Sequence, residues 1–164
     1  MRPLLLAGPP AAGKSTTGRQ LAASTRRGAF IDVDDVRHLV VGGHAAPWDG
    51  EAGRQQQHLG VENACDLARR FASHRMDVVL ADVLSPETTA IYRARISDLV
   101  IIGLRISPDA AQRRAAGRPH HLTRTEFDRL HADERRYALA YDHVVEVDDC
   151  DGPGQIELVR RLWS

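Results

Sequence analysis

Gly8-Pro9-Pro10-Ala11-Ala12-Gly13-Lys14-Ser15 is the stretch that decides the fold. It satisfies G-x-x-x-x-G-K-[ST] at each defined position, directly after an apolar run at residues 3–7 and at the opening of a helical pattern at residues 14–24. The chemistry explains the pattern. Glycines let the backbone wrap closely round a phosphate, and successive N–H groups and the helix N-terminus meet its negative charge. Lys14 reaches the β/γ oxygens and the Ser15 hydroxyl ligates Mg²⁺. Pro9, Pro10, Ala11 and Ala12 carry the loop between its glycines, and Thr16 continues it into the helix, so Gly8 through Thr16 are the expected nucleotide-binding residues. Lys14 is also the sole lysine of a chain with 22 basic residues. Arginine replaces lysine at little cost on a solvated surface, but not where a slender point charge must enter a backbone nest.

Outward from this loop, short runs rich in Val, Ile and Leu alternate with helical patterns. Strands are expected at residues 3–7, 29–33, 77–81, 99–106 and 143–147, the third and fourth as continuous apolar runs buried on both faces. Helices are expected at 14–24, 51–74, 87–96, 109–117, 124–141 and 155–163. Ser85-Pro86-Glu87 and Ser107-Pro108-Asp109 each supply a capping hydroxyl, a proline at the first helical position and an acid at the positive helix end. Thr123-Arg124-Thr125-Glu126 reads as a capping box. The order β-α repeated gives an α/β chain with a parallel sheet covered on both sides, and ligands at the carboxyl ends of its strands.

The length of 164 residues suits one domain, spanning the whole chain. Equal numbers of acidic and basic residues, 22 of each, exclude a strongly basic nucleic-acid binder and give little attraction to a polyphosphate acceptor. Cys65 and Cys150 lack C-x-x-C spacing, so neither a disulfide framework nor a zinc ribbon is indicated, and a reducing cytoplasm is the expected location. The first apolar run is too short for a signal segment, and no stretch approaches membrane-spanning length.

Three further sets of residues bear on chemistry. Asp32-Val33-Asp34-Asp35-Val36-Arg37 ends the second strand and enters a helix. One reading is a solvated turn with an N-cap. The other places Asp32 beside the metal and Asp34 as acceptor of a proton from an attacking hydroxyl, because parallel strands bring this end to the same edge as the phosphate loop. Asp82 closes the third strand, either as an acid near Mg²⁺ and substrate or as the cap of the turn before Ser85. Arg113, Arg114 and Arg118 lead into a Gly/Pro-flanked loop. They are either an exposed helix face and its loop or a lid that closes over the nucleotide and places Arg114 and Arg118 on the transferring phosphoryl group. The adjacent His120 and His121 read as solvated. No N-K-x-D for guanine recognition is present, and Val83 follows Asp82 where ring-forming ATPases carry Glu.

These residues resemble the small P-loop kinases grouped with chloramphenicol phosphotransferase, zeta toxin, shikimate kinase, gluconate kinase and adenylylsulfate kinase. The likeness rests on the phosphate loop, on Asp32-x-Asp34 with Arg37, on the arginine-rich lid segment and on Tyr141-Asp142-His143-Val144-Val145-Glu146-Val147. It implies a three-layer α/β/α fold with a five-stranded parallel sheet of order 2-3-1-4-5 and a short lid at about residues 114–124. It also implies an acceptor side at about 37–60, contacts from Asp34 and Arg37 to the acceptor, an adenine-side loop at 148–154 and Arg113 near the base. Asp82-Val83-Leu84-Ser85 replaces the glycine triplet of shikimate kinases, which disfavours shikimate. The expected activity is transfer of the γ-phosphate of ATP, with Mg²⁺, to a hydroxyl of a small molecule. Trp48, His38 and Arg54-Gln55-Gln56-Gln57-His58 are candidate acceptor-site residues. Two other readings stand beside it: a nucleoside or nucleotide kinase, with Arg37 and Arg93 holding an acceptor phosphate, and a nucleotide-binding regulatory module without acceptor chemistry.

Overall fold

In the computed structural model, residues 1–116, 122–137 and 139–163 are described. Five strands, β1 (Leu4–Ala7), β2 (Gly28–Asp32), β3 (Asp77–Asp82), β4 (Val100–Arg105) and β5 (His143–Glu146), pair in the order β2-β3-β1-β4-β5. Every pairing is parallel, as β-α alternation requires. The central strand β1 sets Leu4 between Val79 and Val100, and Ala7 between Asp82 and Gly103. The phosphate loop therefore leaves the middle of the sheet beside Asp82.

Successive strand residues face opposite sides, so one sheet supports two cores. Leu4 and Leu6 join Val79, Ile102 and Leu104 on one face, under α1 (Lys14–Ser24), α5 (Pro108–Ala115), α6 (Arg124–Arg136) and α7 (Gly152–Trp163). Leu5 and Ala7 join Ile31, Leu80 and Ile101 on the other, under α3 (Gly50–Ser73) and α4 (Pro86–Arg95), with α2 (Val33–Arg37) at its edge. This is the three-layer α/β/α arrangement with the expected strand order.

The helix starts follow the capping chemistry. Ser85 and Thr123 form complete capping boxes with Thr88 and Glu126, and the Ser107 hydroxyl accepts from the Ala110 N–H. One helix is shorter than its sequence pattern: the run expected at 124–141 ends at Arg136, and Tyr137 is extended. Tertiary packing wins there. The Tyr141 ring lies in the space left by the missing side chain of Gly103, and Asp142 accepts from the Ile101 N–H at 2.7 Å, so the chain must leave the helix to reach the sheet edge. Arg118, His120 and His121 lie outside the described residues, as does most of the expected lid loop. Among the described residues, no helix is long and apolar enough to cross a membrane.

Candidate active site

The phosphate loop joins β1 to α1 through three left-handed residues, Gly8 (φ +143°), Ala11 (φ +64°) and Gly13 (φ +90°). Alternating handedness of this kind turns successive N–H groups toward one hollow, which suits an anion. A side chain on Gly8 would strike the Leu104 carbonyl, and one on Gly13 would come within 2.7 Å of the Gln155 amide. Gly8 thus requires glycine on space as well as on φ, and Gly13 on φ, with a side chain there displacing the Gln155 amide. Gly13 also receives the first bond of α1, from the Thr17 N–H at 2.9 Å.

Lys14 folds back over the loop and donates from Nζ to the Pro9 carbonyl at 3.0 Å. Desolvation pushes its ammonium below the usual lysine range, against the opposing pull of Asp34, Asp82 and Asp32. The acids from β2 and β3 and the loop lysine therefore share one electrostatic neighbourhood, as parallel strand ends predict.

Asp32 is the N-cap of α2, its Oδ1 accepting from the Asp34 N–H at 3.3 Å. The capping alternative is thus realised, and a capping carboxylate keeps lone pairs for a hard cation. Among the described residues no cluster of three or more His, Cys, Asp or Glu side chains forms a metal site. The Ser15 hydroxyl and an Asp32 oxygen are hard donors that fit Mg²⁺, an ion that takes few protein ligands and fills its shell with phosphate oxygens and water.

Asp34 is the exposed member of the group, its side chain 63% accessible, and its Oδ1 accepts from Arg37 Nη1 at 2.7 Å. Arg37 is held from behind. Its Nη2 donates to both oxygens of Asp82, at 2.8 and 3.0 Å, and its stem packs on Gly60 of α3, where any side chain would collide. The Asp82 carboxylate is fully buried and also accepts from the Tyr92 hydroxyl at 2.8 Å and the Val83 N–H at 2.7 Å. Burial raises its pKa and the Arg37 charge opposes that shift. With its oxygens so engaged, Asp82 anchors Arg37 rather than meeting a substrate, and Ser85, not Asp82, caps α4. Tyr92 had no distinguishing sequence signal, since a tyrosine in an amphipathic helix reads as core.

The arginines separate by role. Arg114 is tied to the chain that follows β5. Its guanidinium donates to the carbonyls of Val147 and Cys150, the latter at 2.9 Å, and to Gln155 Oε1 at 3.4 Å. Arg113 is exposed and does not line the adjoining cavity. That cavity, about 380 Å³, lies against Pro10, Ala11, Gly13, Thr16 and Thr17, and is walled by Arg114, Leu122, Phe127, Cys150 and Gln155. Arg93 donates to the carbonyls of Leu99 and Ala140 and pairs with Asp142, so it braces β4 and β5 and is not available to an acceptor phosphate.

A second cavity, of about 470 Å³, is lined by Trp48, Arg54, Gln57, Ser85, Glu87, Arg129 and Tyr137. The Arg129 guanidinium lies 5.9 Å above the Trp48 ring. Gln57 lies one helical turn before Gly60, the residue on which the Arg37 stem packs. Of the expected acceptor residues, Trp48, Arg54 and Gln57 meet here. His38 instead stacks on His44, Gln55 bonds Glu51, Gln56 holds the loop at Gly43 and Ala45, and His58 pairs with Glu87.

No family model matches the chain, and no curated protein matches it in sequence. Solved structures do match in fold. A sugar kinase from Janibacter sp. HTCC2649 is 14% identical, with 98% of this chain and 93% of that one covered at a TM-score of 0.76. Shikimate kinase from Bacteroides thetaiotaomicron is 16% identical over 99% of this chain and 98% of its own, at 0.71. Shikimate kinase from Acinetobacter baumannii, solved with shikimate, is 19% identical over 99% and 93%, at 0.68. The fold is that of the small P-loop kinases.

Proposed function

We propose that the chain is an ATP-dependent phosphotransferase acting on a hydroxyl group of a small molecule. One observation carries the reading: beside the phosphate loop, an exposed carboxylate, Asp34, is held by an arginine that is itself anchored on a buried acid. A nucleotide switch needs no oriented proton acceptor at this place. Sugar and shikimate kinases of the same fold act on small hydroxyl compounds, which supports the class without naming the acceptor.

In this reading ATP occupies the 380 Å³ cavity, with its phosphates in the loop from Gly8 to Thr16. Ser15 and Asp32 would hold Mg²⁺, which neutralises charge on the phosphate oxygens. The acceptor enters the cavity beside Trp48, Arg54 and Gln57 and presents a hydroxyl to Asp34. The hydroxyl oxygen bonds to the γ-phosphorus, the bond from phosphorus to the β–γ bridging oxygen breaks, ADP leaves, and the hydroxyl proton passes to Asp34 and on to water. Lys14 stabilises the charge on the transferring group, and catalysis is mainly positioning and electrostatics. Arg114 belongs to the nucleotide side, whereas Arg113 does not line the nucleotide cavity. Arg118 remains the lid arginine proposed for the transition state.

A broad screen of hydroxyl compounds with MgATP, read by ADP formation, identifies the acceptor. With it, Asp34→Ala lowers turnover about 10²- to 10⁴-fold, the usual share of a positioned base, while MgATP affinity stays within twofold. Full turnover in that variant removes Asp34 as the proton acceptor, whereas nucleotide binding with no acceptor phosphorylated favours the regulatory module instead.

A further inference from the structure

Two buried polar side chains that the reaction does not use grip the phosphate loop from outside. Gln155 of α7, 3% exposed, donates from Nε2 to the Ala12 carbonyl and to Thr17 Oγ1, both at 3.0 Å. His131 of α6, also 3% exposed, places Nε2 3.0 Å from the Pro10 carbonyl. A carbonyl only accepts, so Nε2 carries the imidazole proton.

In a trans peptide the carbonyl and the following N–H point in opposite directions. Tying Ala12 O to α7 thus turns the Gly13 N–H away from α7, and tying Pro10 O to α6 turns the Ala11 N–H away from α6. Ala11 and Gly13 are the two left-handed residues in the body of the loop, and a non-glycine residue at φ +64° persists only where its surroundings hold it. We propose that Gln155 and His131 are positioning residues which set the anion-binding geometry of the loop by aiming the Ala11 and Gly13 N–H groups into the phosphate cradle.

Gln155 has a second contact that separates this role from simple packing. Its Oε1 accepts from Arg114, which in turn holds the carbonyls of Val147 and Cys150 along the nucleotide cavity. Removing Gln155 therefore disturbs the phosphate cradle itself, whereas removing Arg114 leaves the Gln155 Nε2 bonds to the loop in place and disturbs the wall where the rest of the nucleotide lies. The inference rests on the loop binding phosphate, and two ligands test it: MgATP, and inorganic tripolyphosphate, which has no base or sugar.

Affinities for both are measured by calorimetry on the full chain, with the thermal midpoint of each variant as the control for folding. Gln155→Leu and His131→Phe are expected to weaken MgATP and tripolyphosphate by the same factor, about tenfold to a hundredfold, the range found when a hydrogen bond that orients a metal ligand is lost. His131→Gln keeps a donor and retains most of the affinity. Arg114→Ala weakens MgATP but not tripolyphosphate. Folded Gln155→Leu and His131→Phe proteins that bind both ligands within twofold of the wild type overturn the inference. If Gln155→Leu does not fold, the His131→Phe and His131→Gln pair decides alone, equal affinity in the two overturning it. A wild-type chain that binds neither ligand overturns the phosphotransferase reading instead.

Discussion

Lys14 and Asp82 show how differently two charged residues of one site behave. Lys14 is held in the loop by a bond to the Pro9 carbonyl, with desolvation already working against its charge. A planar guanidinium is wider than an ammonium and more rigidly forked. Lys14→Arg conserves charge, yet it is expected to lower turnover about 100-fold or more, as measured by ADP release with the identified acceptor. Asp82 works by being inaccessible. Asp82→Ala leaves the Arg37 guanidinium, only 11% exposed, without its main partner, and the loss of a buried partner typically costs about 3–5 kcal/mol. Urea unfolding measures that loss, and it should appear whether or not nucleotide is bound.

Among the elements, α6 has the most varied duties. Phe127 walls the first cavity, His131 meets the phosphate loop, and Arg129 reaches the second cavity beside Tyr137, which follows the helix end. Its start rests on the capping box, in which the Glu126 carboxylate accepts from the Thr123 N–H at 2.7 Å and its N–H donates back to the Thr123 hydroxyl at 3.3 Å. Thr123→Ala is expected to cost about 1 kcal/mol, a fall in thermal midpoint of roughly 2–4 °C for a chain of this size. Helix starts of this sort were legible because all the partners lie within four residues. The end of α6 was not, because helical periodicity continues past Arg136 while the contact that stops the helix, Tyr141 on Gly103, comes from a distant strand.

The same distinction holds across the whole molecule. The phosphate loop, the pair Asp32 and Asp34, and the strand alternation could be read because each is a local pattern with a chemical reason. Arg37 on Asp82 spans 45 residues, His131 on Pro10 spans 121 and Gln155 on Ala12 spans 143, and nothing in the local sequence marks those partners. Arg114 was readable as an arginine of the nucleotide side but not as one bound to two carbonyls, since only the fold brings Val147 and Cys150 to it. The two cysteines separate at this scale too. Cys65 lies on the buried face of α3, and desolvation pushes its thiol up to about 12, whereas Cys150 is partly exposed and lines the nucleotide cavity. A thiol reagent should label one site per native chain, Cys150, and two after denaturation, with MgATP slowing the native reaction.

The grip of His131 and Gln155 on the phosphate loop also has a consequence in time. A ribosome makes the loop 121 residues before His131 and 143 before Gln155, the side chains that set its peptide planes. Closing contacts over such sequence distances is slow compared with forming helices or local turns. A nascent chain therefore holds a complete phosphate motif before α6 and α7 are made, and the contacts that set its peptide planes arrive only with those helices.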